Sequence, residues 1–138
     1  MAIVPPAELE IFLNLVLSVI LGGLIGMERE RAHRPAGLRT NVLVCMGAAI
    51  YGMIASYGFQ GSTDISRIIA NIVVGVGFLG TGVVVKEQES VHGLTTAATI
   101  WVVAGLGTAI ALKMYFLAVA SCGLALVTLY VLRRFESH

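Results

Sequence analysis

The residues best equipped for chemistry crowd into one short segment, positions 26–41, Gly-Met-Glu-Arg-Glu-Arg-Ala-His-Arg-Pro-Ala-Gly-Leu-Arg-Thr-Asn. Arg29, Arg31, Arg34 and Arg39 share it with Glu28 and Glu30, and it ends on Thr40 and Asn41. Farther on, Val-His-Gly-Leu-Thr-Thr sets His92, Thr95 and Thr96 at the start of another apolar run. A carboxylate at a water–hydrocarbon boundary is costly unless paired, and a guanidinium can pair with it through two parallel hydrogen bonds. Glu28, Arg39, Asn41, His92 and Thr95, flanked by Thr40 and Thr96, are therefore expected to form one polar cluster, with Arg39 as the partner of Glu28. Such a cluster is either a clasp holding helix ends together or a surface that a partner reads. A single histidine rarely makes a metal site, so none is expected at His92.

Other polar residues are sparse. Asn14 and Asn71 each lie four residues inward from a charge, Glu10 and Arg67, and should share a depth. They would hydrogen-bond between helices or contribute to a ligand or ion site. Asp64 precedes an apolar run and reads as a helix N-cap, with Arg67 one turn on and able to pair with it, or as part of a functional site. Gly75-x-Gly77-x-x-Gly80 matches the dinucleotide-binding fingerprint in letters only. That fingerprint needs a preceding strand and an acidic residue about 20 positions later, where this chain has Ile100. The glycines Gly22, Gly26, Gly75, Gly77, Gly80 and Gly82 are read instead as close-packing positions, as are Ala48-x-x-x-Gly52 and Gly77-x-x-x-Thr81. Small residues let helices approach in lipid, inside a bundle or at a dimer seam. Cys45 and Cys122 sit in apolar runs and read as small hydrophobes. No segment assembles a nucleophile, a base and an oxyanion donor, so neither an enzyme nor a cofactor is expected.

The elements that position these residues are apolar throughout. Hydrophobic residues make up 57% of the 138, and charged residues 12%, against about 25% in soluble domains. The mean hydropathy is +0.90. Charge-free runs cover Ile11–Met27, Thr40–Thr63, Ile68–Val85, Gly93–Leu112 and Met114–Leu132. Each approaches the roughly 20 residues that a membrane-crossing helix needs. None alternates as barrel strands do. The expected fold is all-α, a single transmembrane domain over residues 1–138 with five spans, roughly 9–27, 40–58, 67–85, 94–112 and 114–132. The first and third connections and the segment after the last span together carry seven lysines and arginines, against two in the second and fourth connections. By the positive-inside rule the N-terminus is then outside and the C-terminus inside. Tyr57, Phe59, Tyr115 and Phe116 would ring the outer interface and Tyr130 and Phe135 the inner one, while Trp101 falls mid-span and should pack against a neighbouring helix. The spans carry no mid-depth carboxylate, which argues against an ion pathway. Nothing in a net charge of +1 suggests nucleic acid.

Four strings make the chain recognisable: Gly23-x-Ile25-Gly26-x-Glu28-Arg29-Glu30, Pro35-Ala36-Gly37-Leu38-Arg39-Thr40-Asn41, Gly77-Phe78-Leu79-Gly80-Thr81-Gly82 and Gly93-Leu94-Thr95-Thr96-Ala97-Ala98-Thr99-Ile100-Trp101. Together, from about Gly22 to Tyr115, they resemble the MgtC/SapB family. The resemblance implies a bacterial inner-membrane protein linked to low magnesium, acid tolerance and virulence. It implies regulation of a partner membrane protein such as the proton-translocating ATP synthase, with a homodimer as the expected oligomer. Many members carry a soluble domain after the last span, and a chain ending at His138 is expected to lack it. The rival expectation is a small transporter or channel for magnesium or protons.

Overall fold

The computed structural model describes residues 7–58 and 64–136. The elements run α1 (Glu8–Arg31), α2 (Leu38–Met53, prolonged by a π-helical turn Ile54–Gly58), α3 (Ile65–Thr81), β1 (Val85–Glu87), β2 (Ser90–His92), α4 (Leu94–Ala111), α5 (Tyr115–Val127, prolonged by a π-helical turn Thr128–Leu132) and α6 (Arg133–Glu136). Four helical segments are long and apolar enough to cross a membrane: Glu8–Arg31, Leu38–Gly58, Leu94–Ala111 and Tyr115–Glu136. The 17-residue α3 is apolar but shorter, about 25 Å at 1.5 Å per residue. The expectations for Phe59 and for the chain ends lie outside the described residues.

Two expectations are corrected here. The third apolar helix ends at Thr81 rather than at Val85, and the chain is not purely helical. After Gly82 the β-branched run Val83-Val84-Val85 leaves the helix. β1 then pairs antiparallel with β2, Val85 opposite His92 and Glu87 opposite Ser90. Gln88, at φ 51°, makes the turn between them. Gly93, at φ 89°, returns the chain into α4, and a Cβ there would collide with the Val83 carbonyl. Only glycine fits that position.

In lipid there is little hydrophobic force between helices, so close packing and internal hydrogen bonding must hold the bundle. α4 lies at the centre, in contact with α1, α2, α3 and α5. The α1–α2 seam is built on glycine. A Cβ on Gly22 would lie 2.8 Å from both the Asn41 carbonyl and the Cys45 Cβ, and one on Gly26 would lie 2.8 Å from the Leu38 Cα. Gly52 and Gly107 do the same between α2 and α4, against Ala111 and against Cys45 and Ala48 respectively. Leu21, Ile25, Cys45, Val103, Leu106 and Ile110 fill the largest buried cluster, together with Ala118 and Cys122 of α5. Intrahelical hydroxyls are satisfied locally: Ser18 by Leu15 O, Ser56 by Gly52 O, Thr99 by Thr95 O, Thr108 by Ala104 O and Thr128 by Leu124 O, at 2.7–2.9 Å. Phe12, Tyr51, Val74, Phe78, Phe116 and Tyr130 are exposed around the bundle, as a surface solvated by lipid permits.

Candidate functional site

α1 presents one face to the bundle through Asn14, Ser18, Leu21, Gly22, Ile25 and Gly26, and that face continues into Glu28 and Arg29. The helical period thus carries a carboxylate and a guanidinium inward together. Arg29 Nε lies 2.5 Å from Glu28 Oε2, and Arg29 Nη2 lies 2.9 Å from Glu28 Oε1. The two residues are 9% and 3% exposed. Glu28 therefore has its partner on its own helix. The pairing expected with Arg39 does not form: Arg39 and Thr40 are exposed on the first turn of α2. The correction has a simple cause, since Gly37–Thr40 begins α2 with Leu38 and Asn41 turned to α1 and Arg39 turned away.

Glu30 explains the other acidic residue of the segment. Its Oε2 accepts a hydrogen bond from Leu38 N at 2.7 Å. α2 has no side-chain cap of its own, so α1 supplies it across the loop. Gly37 must lack a side chain there, because a Cβ would sit 2.8 Å from Glu30 Oε2. Asn41, fully buried, donates from Nδ2 to Ala36 O (3.0 Å) and Gly37 O (2.8 Å) and so fixes the same loop. Its Oδ1 is buried with no hydrogen-bond partner among the described residues, a costly arrangement in a dry interior.

Of the expected cluster, the structure brings His92, Thr95 and Thr96 around one hollow of about 470 Å³, with Arg29, Arg34 and Arg133 also on its wall. His92 is exposed on β2, with its Nε2 3.0 Å from Ser90 Oγ. Thr95 is exposed and Thr96 buried at the start of α4. Glu28 lines a second hollow of about 730 Å³ with Arg31, Tyr130, Arg133 and Arg134. Arg39 and Thr40 line a third, beside Glu30 and Arg34. Arg29 and Glu30 are the residues that sequence reasoning left out of the cluster.

At the opposite end, Asn14 and Asn71 part company. Asn14 is buried and accepts a hydrogen bond from the Tyr115 hydroxyl at 2.7 Å, with its amide nitrogen 4.0 Å from Met53 Sδ. Asn71 is exposed on α3. Asp64 caps α3, accepting from Ser66 N (3.0 Å) and Ser66 Oγ (2.6 Å), while Arg67 is exposed. Lys113 lies 2.6 Å from Glu10 Oε1 and 5.5 Å from the Tyr57 ring centroid. Those contacts, with Glu10 first and Tyr57 second, raise its pKa.

The remaining glycines divide as well. Gly80 makes ordinary contact with Ala97 at 3.5 Å, and Gly82 approaches only the Leu79 carbonyl of its own helix end. Gly75 and Gly77 have nothing within 4 Å of where a Cβ would be. Of the two roles that their spacing allows, a seam inside the bundle and one with a second copy, the first finds no contact for them among the described residues. Trp101, expected to be covered, is more than half exposed beside α3.

Comparison with known proteins places this architecture. The family model described as "MgtC family" matches residues 15–138. YhiD of Escherichia coli (strain K12), named as a candidate magnesium transporter, is 41% identical over 129 residues, 88% of this chain and 60% of YhiD. Protein MgtC of Salmonella typhimurium (strain LT2) is 45% identical over 121 residues, 88% of this chain and 52% of that protein. Protein MgtC of Brucella abortus (strain 2308) is 51% identical over 88 residues, 64% of this chain. The chain thus spans between half and two thirds of the length of the first two relatives. No solved structure gives a significant match. A family match over residues 15–138 and identities above 40% across most of the chain agree: this is a multi-pass membrane protein that belongs to the MgtC family.

Proposed function

We propose that this protein sits in the bacterial inner membrane, N-terminus out and C-terminus in, and regulates a partner membrane protein in adaptation to low magnesium or acid stress. The partner would be an ATP synthase-like machine or a transporter. The outer face of α3 is the observation that carries this reading. Asn71, Val74 and Phe78 are exposed there, and Gly75 and Gly77 leave the backbone open. An amide in hydrocarbon is costly without a hydrogen-bond partner, and small residues are what a second helix needs to approach. α3 therefore has the composition of an intramembrane docking helix, which a partner protein or a second copy would cover. A photo-crosslinking residue at position 74, in native membranes, tests this. Products containing another membrane protein support regulation by contact, products containing only this chain support a homodimer, and lipid adducts alone remove the reading.

The name of YhiD favours a second reading, transport of magnesium. Purified protein in liposomes discriminates. We expect magnesium and proton flux no faster than in empty liposomes. A protein-dependent flux lost in Asn71→Ala or Asp64→Ala would put transport first.

A further inference from the structure

We infer that the hollow among the end of α1, the start of α4 and the α5–α6 junction binds a phosphate group. Three independent features meet there. The first is the start of α4. Its first helical bond runs from Ala97 N to Gly93 O, and no side chain caps it. The amides before Ala97 have no helical carbonyl to bond, and a helix start of this kind favours an anion.

The second feature is Thr96, which is 2% exposed and lines the hollow. The other buried hydroxyls, Ser18 and Thr99, donate to carbonyls of their own helices. Thr96 sits in the first turn and does not back-bond in this way: its hydroxyl has no hydrogen-bond partner among the described residues. The hydroxyl opens on the hollow and is free to donate to an acceptor bound there.

The third feature is cationic. Arg29 is held at the wall by Glu28. Arg34, whose amide bonds to Arg29 O at 3.1 Å, and Arg133 add two guanidinium groups, neither with an ion-pair partner among the described residues. Glu136 also lines the hollow and opposes an anion, but Arg34 and Arg133 outweigh it, the charge of Arg29 being balanced by Glu28. Guanidinium forks, a hydroxyl and free amides from separate directions suit a tetrahedral oxyanion. A hollow of about 470 Å³ is larger than a bare phosphate, and Leu94, Leu129 and Leu132 give it an apolar side. The phosphate could therefore belong to a lipid headgroup or to a soluble phosphate compound. This inference does not depend on what covers α3.

The test uses the full chain in mild detergent. Inorganic phosphate is titrated by calorimetry. Separately, native mass spectrometry follows retained lipid from an equimolar mixture of phosphatidylglycerol and a monoglucosyl diacylglycerol, which has no phosphate. Thr96→Val loses no hydrogen bond of the fold, and Arg133→Gln loses no ion pair, so both should melt like wild type. Each should weaken binding about tenfold, the worth of one charge-assisted hydrogen bond, and Glu136→Gln should strengthen it. Saturable phosphate binding without lipid preference supports a soluble ligand. Preference for phosphatidylglycerol without phosphate binding supports a headgroup. Neither in the wild type, or either one unchanged in both weakening variants, overturns the inference.

Discussion

The Tyr115 hydroxyl donates to Asn14 Oδ1 across 2.7 Å, joining the first turn of α5 to the second turn of α1. The same amide lies 4.0 Å from Met53 Sδ of α2, so one side chain ties three helices at the end of the bundle opposite the Glu28–Arg29 pair. Interhelical hydrogen bonds in membranes contribute about 0.6 kcal/mol on average and up to about 1.7. Tyr115→Phe should lower stability by that order, and Asn14→Leu by more, because it also leaves the tyrosine hydroxyl unpaired. Unfolding in mixed detergent micelles measures both. A double variant that loses the sum of the two single losses would show that the residues do not interact.

The glycines should separate into two kinds. Gly22→Leu and Gly107→Leu force a side chain into backbone atoms of α2, and overpacking of this sort costs about 1–3 kcal/mol or more. Gly77→Leu meets nothing in this chain and should leave the melting temperature within about a degree of wild type, a surface-level effect. Its expected consequence is loss of the position-74 crosslink, since leucine would hold a docking helix away. If Gly77→Leu unfolds the monomer, α3 packs differently from what is described above.

Much of this was legible in the residues, for identifiable reasons. Charge-free runs mark the helices because lipid excludes charge, and Gly22-x-x-x-Gly26 marks a seam because only small residues allow backbone contact. The same spacing logic fails at Gly75 and Gly77, since a glycine motif says that a helix can be approached, not by which chain. The hairpin Val85–His92 was hidden inside a run that reads as apolar helix, where the β-branched Val83-Val84-Val85 was the available sign. Arg29 was readable too: the period of Ser18, Leu21, Gly22, Ile25 and Gly26, extended past the charge boundary, falls on Glu28 and Arg29. Helical spacing does not signal the pairing itself, since neighbours i and i+1 on a helix do not ordinarily face each other.

Lys113 offers a readout in pH. Its ammonium is held by Glu10 and by Tyr57, which raise its pKa above the ordinary 10.5. A group raised on folding contributes stability in full below the unfolded value and loses it as pH rises through the folded one. The wild-type melting temperature should therefore fall as pH climbs above 10.5, and Lys113→Gln should fall less over the same range. The effect is small, because the lysine side chain is nearly half exposed and screening weakens such pairs. Parallel curves for the two proteins would remove Lys113 as a contributor.

The Glu28–Arg29 pair should behave as one unit, and Arg39 should not belong to it. Both members are buried, and their side chains are joined at two points. Removing one partner of a buried pair leaves the other charge without compensation, at about 3–5 kcal/mol, whereas removing both can be nearly neutral. Glu28→Gln and Arg29→Gln should thus each lower membrane abundance and melting temperature sharply, and the double variant should recover much of the loss. Arg39→Gln, exposed on α2, should change stability by no more than about 0.5 kcal/mol. The comparison also separates scaffold from function. If the exposed Arg39 is read by a partner, Arg39→Gln keeps normal abundance yet loses growth in low magnesium. If Arg39 proves as damaging to the fold as Arg29, or if the Glu28 and Arg29 losses simply add, the pair seen here is not what holds the end of α1 in place.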